Sequence, residues 1–190
     1  MILEILTLIA FAQPPKESGV PVRTTKPPVE VVAVTPREKV LAVAKSCIGW
    51  EEATGNNDGP NIEKILQSVG LKGSRAPYCA AFVVYCYQEA GLSGKVPKSA
   101  WSPDMVKNPT WKQGRGETPR PADIFGIWFS SKGRVAHAGL IEKWGNGMAV
   151  TIEANTGPQA EPGTELDREG DGVWRRWRLT STIYAVKNYL

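Results

Sequence analysis

Histidine is almost absent from this sequence, and cysteine is scarce. The one histidine in 190 residues is His137, so any reaction that needs an imidazole must use it. The three cysteines, Cys47, Cys79 and Cys86, are an odd number, so at least one thiol stays free unless chains pair, and a dense disulfide scaffold is excluded. No cysteines and histidines have the spacing of zinc ligands, and the sequence predicts neither a metal nor another cofactor.

Long apolar runs are missing as well. Residues 1–12 are mostly apolar but fall well short of the roughly 20 residues that a bilayer span needs. This segment ends in Ala10-Phe11-Ala12, a pattern that signal peptidase favours, although no positive charge precedes it. We interpret residues 1–12 either as an export signal, cleaved or anchoring, or as an amphipathic or disordered start. Residues 13–36 are rich in proline and predict an extended linker.

The rest of the chain has an ordinary globular composition with an excess of positive charge. Hydrophobic residues make up 42% and charged residues 22%, which suits one catalytic domain over residues 37–190 with its own core. The net charge of +4 favours an anionic partner, such as nucleic acid, an acidic membrane face or a cell wall. Because no nucleic-acid-binding motif accompanies the charge, we expect no nucleic-acid partner.

Helices precede strands in the predicted domain. Apolar spacing predicts helices at 37–48, 62–69 and 79–90. Alternation predicts strands at 123–129, 136–144, 148–153, 172–178 and 183–187. This order is typical of an α+β fold in which helices pack on an antiparallel sheet.

Cys79 is the candidate nucleophile because it begins the clearest predicted helix. The unpaired amides and the positive end of the helix dipole stabilise a thiolate at that position and lower its pKa. Cys47 and Cys86 lie inside their helices, where buried structural thiols are common. A structural role is also the alternative for Cys79.

His137 is the only candidate base, and the following strand offers two groups that could orient it. Alternation places His137 on one strand face with Gly139 and Ile141, and if this face receives the Cys79 helix, thiol and imidazole can form an ion pair. Gly139 would leave open space for substrate beside the ring. Glu153 or Asn155, one strand later, could accept a hydrogen bond from the imidazole Nδ1, and we favour Glu153 slightly. The alternatives are a structural strand histidine and an exposed polar pair.

Four short motifs contain or accompany these candidate residues: Pro77-Tyr-Cys-Ala-Ala-Phe-Val83, Pro121-Ala-Asp123, Ala136-His-Ala-Gly-Leu140 and Glu153-Ala-Asn-Thr156. They resemble motifs of the CHAP family (cysteine, histidine-dependent amidohydrolases/peptidases), a branch of the papain-like NlpC-type superfamily. The similarity spans about residues 37–189, with Tyr78 in place of the usual tryptophan and Ala136 and Ala154 in place of glycines. Three further segments, 54–60, 99–103 and 170–174, resemble the versions in CHAP lysins and wall hydrolases of Bacteroidetes and their phages.

The resemblance implies a papain-like fold and a metal-free peptidoglycan hydrolase. Cys79 would be the nucleophile, His137 the base, and Glu153 and Asn155 the orienting residues. The enzyme would cleave an amide bond, either as an N-acetylmuramoyl-L-alanine amidase or as a stem or cross-bridge endopeptidase. We expect a monomer without a membrane span, exported or delivered by phage to the cell wall. Two alternatives stay open: an amidase or transferase acting on another substrate, and a non-catalytic wall-binding or phage tail module.

Overall fold

The computed structural model of the protein describes residues 33–158 and 170–190. The chain divides into two units, Met1–Val32 and Ala33–Leu190. The predicted export segment at 1–12, and the predicted linker as far as residue 32, lie outside the described residues. In the described ranges, no helix combines the length and the apolar character that crossing a bilayer requires.

The described part of the chain contains four α-helices and seven strands. The helices are α1 (Pro36–Ser46), α2 (Pro60–Ser68), α3 (Cys79–Glu89) and α4 (Ser102–Met105). The strands are β1 (Trp111–Lys112), β2 (Arg115–Gly116), β3 (Ile124–Phe129), β4 (Arg134–Trp144), β5 (Met148–Thr156), β6 (Gly172–Leu179) and β7 (Ala185–Lys187). They make one antiparallel sheet in the order β2-β1-β7-β3-β4-β5-β6. The predicted α+β class, with helices before an antiparallel sheet, is confirmed.

The three predicted helices and five predicted strands are all present, with shifts at their ends. Strand β5 continues to Thr156, three residues beyond the predicted end. Helix α4 and strands β1 and β2 were not predicted, because elements of four and two residues are too short to display a hydrophobic period.

Local signals explain where α1 begins and why α3 is central. Thr35 and Glu38 form a reciprocal capping box at the start of α1, and Pro36 occupies the first turn. Eight of the eleven residues of α3 are buried, more than the single apolar stripe in its sequence indicates. The reason is that α3 packs against α1 and α2 on one side and against β4 and β5 on the other.

The sheet separates two hydrophobic clusters. The larger cluster joins the helices to Ala138, Leu140 and Ile152 on one sheet face, and the smaller cluster contains Phe125 and Ile141 on the other face. His137 pairs with Ile127 of the smaller cluster, so its side chain lies on the face opposite the helices.

Strands β4 and β5 separate beyond a short paired region, and we call the resulting gap the strand fork. The two strands pair only from Leu140 to Trp144 and from Ala149 to Ile152. Beyond that, β4 pairs with β3 and β5 pairs with β6, so the inner edge of each strand faces the gap. The residues that flank the fork, 134–139 on β4 and 153–156 on β5, include every predicted site residue except Cys79.

Arg37 fastens the beginning of the domain to its last residues. Its guanidinium donates hydrogen bonds to the carbonyl oxygen of Pro121, 2.5 Å away, to Asp123 Oδ1 at 2.7 Å, to Asn188 Oδ1 at 2.9 Å and to the carbonyl oxygen of Leu190 at 2.7 Å. Asp123 is buried, so its carboxylate depends on this ion pair and on the Arg120 amide.

Replacing Arg37 should therefore destabilise the whole domain. We expect Arg37→Met to lower the free energy of unfolding by about 2 kcal/mol, less than for a fully buried pair because the arginine is partly exposed. Denaturant unfolding followed by circular dichroism measures this loss. Lys39→Met, at an exposed position of the same helix, is the control and should change stability by less than about 0.5 kcal/mol. Equal losses in the two variants would contradict the assigned role.

Candidate active site

Cys79 is the first residue of α3 and lies at the strand fork. Its side chain is buried but borders a cleft. Tyr78, the residue just before the helix, donates its backbone N–H to Asn155 Oδ1 at 2.9 Å. The Tyr78 hydroxyl donates to Glu52 Oε1, also at 2.9 Å. These two bonds hold the N-terminus of α3, and therefore Cys79, against β5 and the loop before α2.

The Cys79 thiol has three hydrogen-bonding neighbours: the His137 imidazole, the Ser102 hydroxyl at 3.4 Å and the backbone amide of Ala138. Burial acts to raise the pKa of this thiol, but the hydrogen bond and charge of His137, followed by Ser102 and Ala138, outweigh burial and bring the pKa down to about 7. Burial instead raises the pKa of Cys47 to about 11 and that of Cys86 well above its usual value. Cys79 is thus the only described thiol that ionises readily near neutral pH.

His137 lies between Cys79 and Glu153. Its Nε2 is 2.8 Å from Glu153 Oε2, and both side chains are buried. Burial works to lower the imidazole pKa, but the hydrogen bonds to Cys79 and Glu153 and the charge of Glu153 raise it to about 9. The predicted acceptor was placed at Nδ1; in the structure Glu153 binds Nε2, which leaves Nδ1 for the thiol.

Glu153 is held ionised by a buried arginine. Arg178 Nε donates to Glu153 Oε1 at 2.5 Å, Arg178 also binds Oε2, and Thr151 Oγ1 donates to Oε1 at 2.5 Å. Burial opposes ionisation of Glu153, but the Arg178 charge and hydrogen bonds, with those of His137, hold the pKa of the carboxyl far below its usual range. The two-pronged contact is the geometry in which arginine binds a carboxylate most strongly.

Asn155 hydrogen-bonds the backbone before α3, and within the described residues no hydrogen bond joins it to His137. It adopts a left-handed conformation with φ of 57°, at an irregularity in the pairing of β5 with β6. Asparagine tolerates this conformation better than most residues. The bend directs its carboxamide to the Tyr78 amide, so of the two predicted orienting residues Glu153 contacts the imidazole and Asn155 contacts the nucleophile's helix.

The His137 face differs in two ways from the arrangement considered in the sequence analysis. Helix α3 packs on the opposite face, and Gly139 leaves no open space, because a Cβ there would lie 2.8 Å from Phe125 Cε1 and 3.0 Å from Glu153 Cγ. Gly139 instead allows Phe125 and Glu153 to pack directly on the β4 backbone.

The strand fork explains how Cys79 and His137 still meet. The Ile141 amide donates to Asp123 before β3, and peptide groups alternate in direction along a strand. The backbone N–H groups of Leu140 and Ala138 consequently point toward β5. Because β5 has separated at Ala138, that amide is free to bind the Cys79 sulfur across the gap.

The cleft beside these residues has a volume of about 860 Å³ and carries both signs of charge. Its lining contains Cys79, His137 and Asn155 together with Glu52, Asp171, Arg75 and Lys132. A ligand in the cleft thus has direct access to the thiol–imidazole pair. In the described ranges, no group of three or more His, Cys, Asp and Glu side chains is arranged to hold a metal ion.

Sequence reasoning missed three polar neighbours of the predicted residues. Arg178 belongs to an arginine-rich stretch that is typical of a solvated strand face, yet it is only 6% exposed. Alternation along 172–178 places Arg176 and Arg178 on one face, but Val173 and Trp177 share the other face, so the sequence does not mark the arginine face as inward or pair it with Glu153. Ser102 and Thr151 carry no signal of their own, because isolated serines and threonines occur everywhere.

Comparisons with known proteins add no relationship: no family model matches the sequence, and no curated protein matches it.

The opposing pKa shifts of Cys79 and His137 predict the pH dependence of thiol alkylation. The rate of Cys79 modification by iodoacetamide should rise with a midpoint near pH 7, because the thiol loses its proton there, and Cys47 and Cys86 should stay unmodified below pH 9. Peptide mass spectrometry identifies the labelled residue. His137→Ala removes the main stabilising group and should move the midpoint upward; an unchanged midpoint would argue against the ion pair.

Arg178 should be far more important for stability than its neighbour on β6, Arg175. Arg178→Met leaves Glu153 buried without its compensating charge and should cost about 3 kcal/mol of unfolding free energy. Arg175→Met breaks an exposed pair with Glu142 and should cost about 1 kcal/mol or less. Denaturant titrations of both variants, analysed side by side, measure the difference, and similar losses would refute the buried pairing.

Proposed function

We propose that this protein is a peptidoglycan hydrolase of the CHAP family that cleaves an amide bond through a cysteine thiol. The observation that carries the proposal is the chain of contacts from Cys79 through His137 to Glu153 at the edge of a substrate-sized cleft. A thiol of lowered pKa beside a base, with a third group orienting that base, is the arrangement of nucleophilic acyl transfer.

The papain-like fold belongs to the same proposal. A helix that begins with the nucleophile packs on an antiparallel sheet that carries the base, and the chain order is Cys79, His137, Glu153. Together with the four motifs in the sequence, this order supports membership of the CHAP family.

The proposed reaction has two stages. The Cys79 thiolate attacks the carbonyl carbon of the scissile amide, and amides of the first turn of α3, which lack partners within the helix, stabilise the oxyanion. Imidazolium His137 protonates the leaving amine as the C–N bond breaks, which gives an acyl-thioester. Neutral His137 then takes a proton from water as its oxygen attacks the thioester, and the released carboxylic product leaves Cys79 as thiolate beside imidazolium again.

The cell wall is the proposed substrate because motif resemblance and charge agree. A net charge of +4 attracts the protein to an anionic polymer. Because the cleft is lined by acidic and basic groups alike, we assign this attraction to the protein surface as a whole. Cleavage would then be either at the sugar-linked amide or within the stem or cross-bridge peptide, in a protein that is exported or delivered by phage.

The decisive measurement is product analysis on purified peptidoglycan. We expect the wild-type protein to release fragments with new amine termini, identified by mass spectrometry, and the identity of the new terminus distinguishes an amidase from an endopeptidase. Cys79→Ala should abolish release because the nucleophile is gone.

Cys86→Ala, a matched change two turns along the same helix, should retain activity provided that the variant is folded. Fragment release by Cys79→Ala would eliminate the nucleophile assignment. A wild-type protein with a reactive thiol but without new amine termini would instead indicate an amidase or transferase with another substrate.

A further inference from the structure

Ser102 lies against the proposed nucleophile without having a role in the mechanism described so far. It begins the short helix α4, and its hydroxyl oxygen is 3.4 Å from the Cys79 sulfur. Both side chains are buried. The contact therefore occurs away from bulk water, where each hydrogen bond to a charged atom has a large effect.

We propose that Ser102 is a further catalytic residue, whose hydroxyl donates a hydrogen bond to the Cys79 thiolate and stabilises it for attack. This inference rests on the nucleophile assignment of the proposed function, although not on the identity of the substrate.

The direction of the hydrogen bond follows from the partners that are present. Ser102 is 4% exposed, and within the described residues its hydroxyl has one hydrogen-bond partner, the Cys79 sulfur. A thiolate has no proton to give and can only accept. Once Cys79 is ionised, the hydroxyl proton must point at the sulfur or remain unpaired in the interior, which is costly.

Ser102 gives the sulfur a third favourable contact, besides those to His137 and Ala138, at a position where burial acts against ionisation. His137 supplies a positive charge and Ala138 supplies one amide, while burial is the largest influence on the thiol and acts against ionisation. A hydrogen bond to a charged group is worth more than one between neutral groups. Ser102 therefore adds to the thiolate population without adding a titratable group.

The segment that carries Ser102 is held in place by its own contacts. Ser99 Oγ accepts the Trp101 amide at 3.0 Å and donates to Asp104 Oδ2 at 2.6 Å. The Trp101 ring packs against the Arg134 guanidinium, 3.8 Å from the ring centre, at the start of β4. Helix α4 is thereby tied to the same strand that carries His137, which keeps the hydroxyl directed at the thiol.

Several charged groups surround the thiol and must stay constant in a test of Ser102. They are His137 on β4, Glu153 and Arg178 behind it, Asp104 on α4, and Glu52, Arg75, Lys132 and Asp171 around the cleft. Replacing a serine by alanine changes none of these charges, so an effect on ionisation reports the lost hydroxyl.

The test compares the pH dependence of Cys79 alkylation in Ser102→Ala and in Ser99→Ala. Iodoacetamide is the probe, peptide mass spectrometry gives the rate at Cys79, and circular dichroism verifies folding. Removing the Ser102 donor should raise the alkylation midpoint from near pH 7 by about one pH unit, which makes the thiolate fraction at pH 7 roughly fivefold smaller. Ser99→Ala loosens the same segment but keeps the Ser102 donor, so it should shift the midpoint less than Ser102→Ala does.

Ser102→Thr provides the rescue, because it retains the hydroxyl and should keep the midpoint close to that of the wild type. The inference is overturned if Ser102→Ala titrates like the wild type, or if Ser99→Ala or Ser102→Thr shifts the midpoint as far as Ser102→Ala does. A wild-type thiol with an ordinary midpoint overturns the inference and the proposed nucleophile together. A normal Ser102 effect in a protein that releases no wall fragments leaves this inference standing and removes only the peptidoglycan assignment.

Discussion

A buried thiolate is stable only where the protein replaces the water that would otherwise solvate it. Here the replacement is a row of charges of alternating sign: Cys79, His137, Glu153 and Arg178. Each charge lies beside an opposite one, so none is buried without compensation. Glu153 holds the row together, because it binds the imidazole on one side and the guanidinium on the other. The lowered pKa of the thiol and the raised pKa of the imidazole both depend on this order.

The strand fork allows residues on opposite faces of the sheet to join this row of charges. Helix α3 packs on one face, and the His137 and Glu153 side chains lie on the other. In a continuous sheet the backbone would separate them. Where β4 and β5 diverge, the end of the helix reaches between the strands and is bound on both sides, by Ala138 from β4 and by Asn155 from β5. The left-handed turn at Asn155 is the local distortion that makes this binding possible.

The sequence predicted most of the helices and strands and the types of residue in the site. It did not predict how these elements and side chains come into contact. Helix α3 and strand β4 follow strong periodic patterns, and the scarcity of histidine left one candidate base. Three features could not be predicted, because they depend on the separation of β4 from β5. They are the sheet face that α3 covers, the imidazole nitrogen that Glu153 binds and the crowding at Gly139. Strand pairing is a long-range property, and alternation alone does not say where it stops. Arg178 illustrates the same limit: alternation does not say that its face of β6 is the inward one, and its carboxylate partner lies 25 residues away in sequence.

The alternating row has a consequence for ionic strength. Its four charges sum to zero when Cys79 is thiolate and His137 is imidazolium, and the sum is also zero when the proton has returned to sulfur. Transfer of that proton is therefore internal, neither taking up an ion from solution nor releasing one. Dissolved salt screens exposed charges over a Debye length of about 8 Å at 0.15 M, but it screens buried pairs much less. Added salt should accordingly weaken the attraction between this basic protein and an anionic polymer while leaving the thiolate in its pocket almost unaffected.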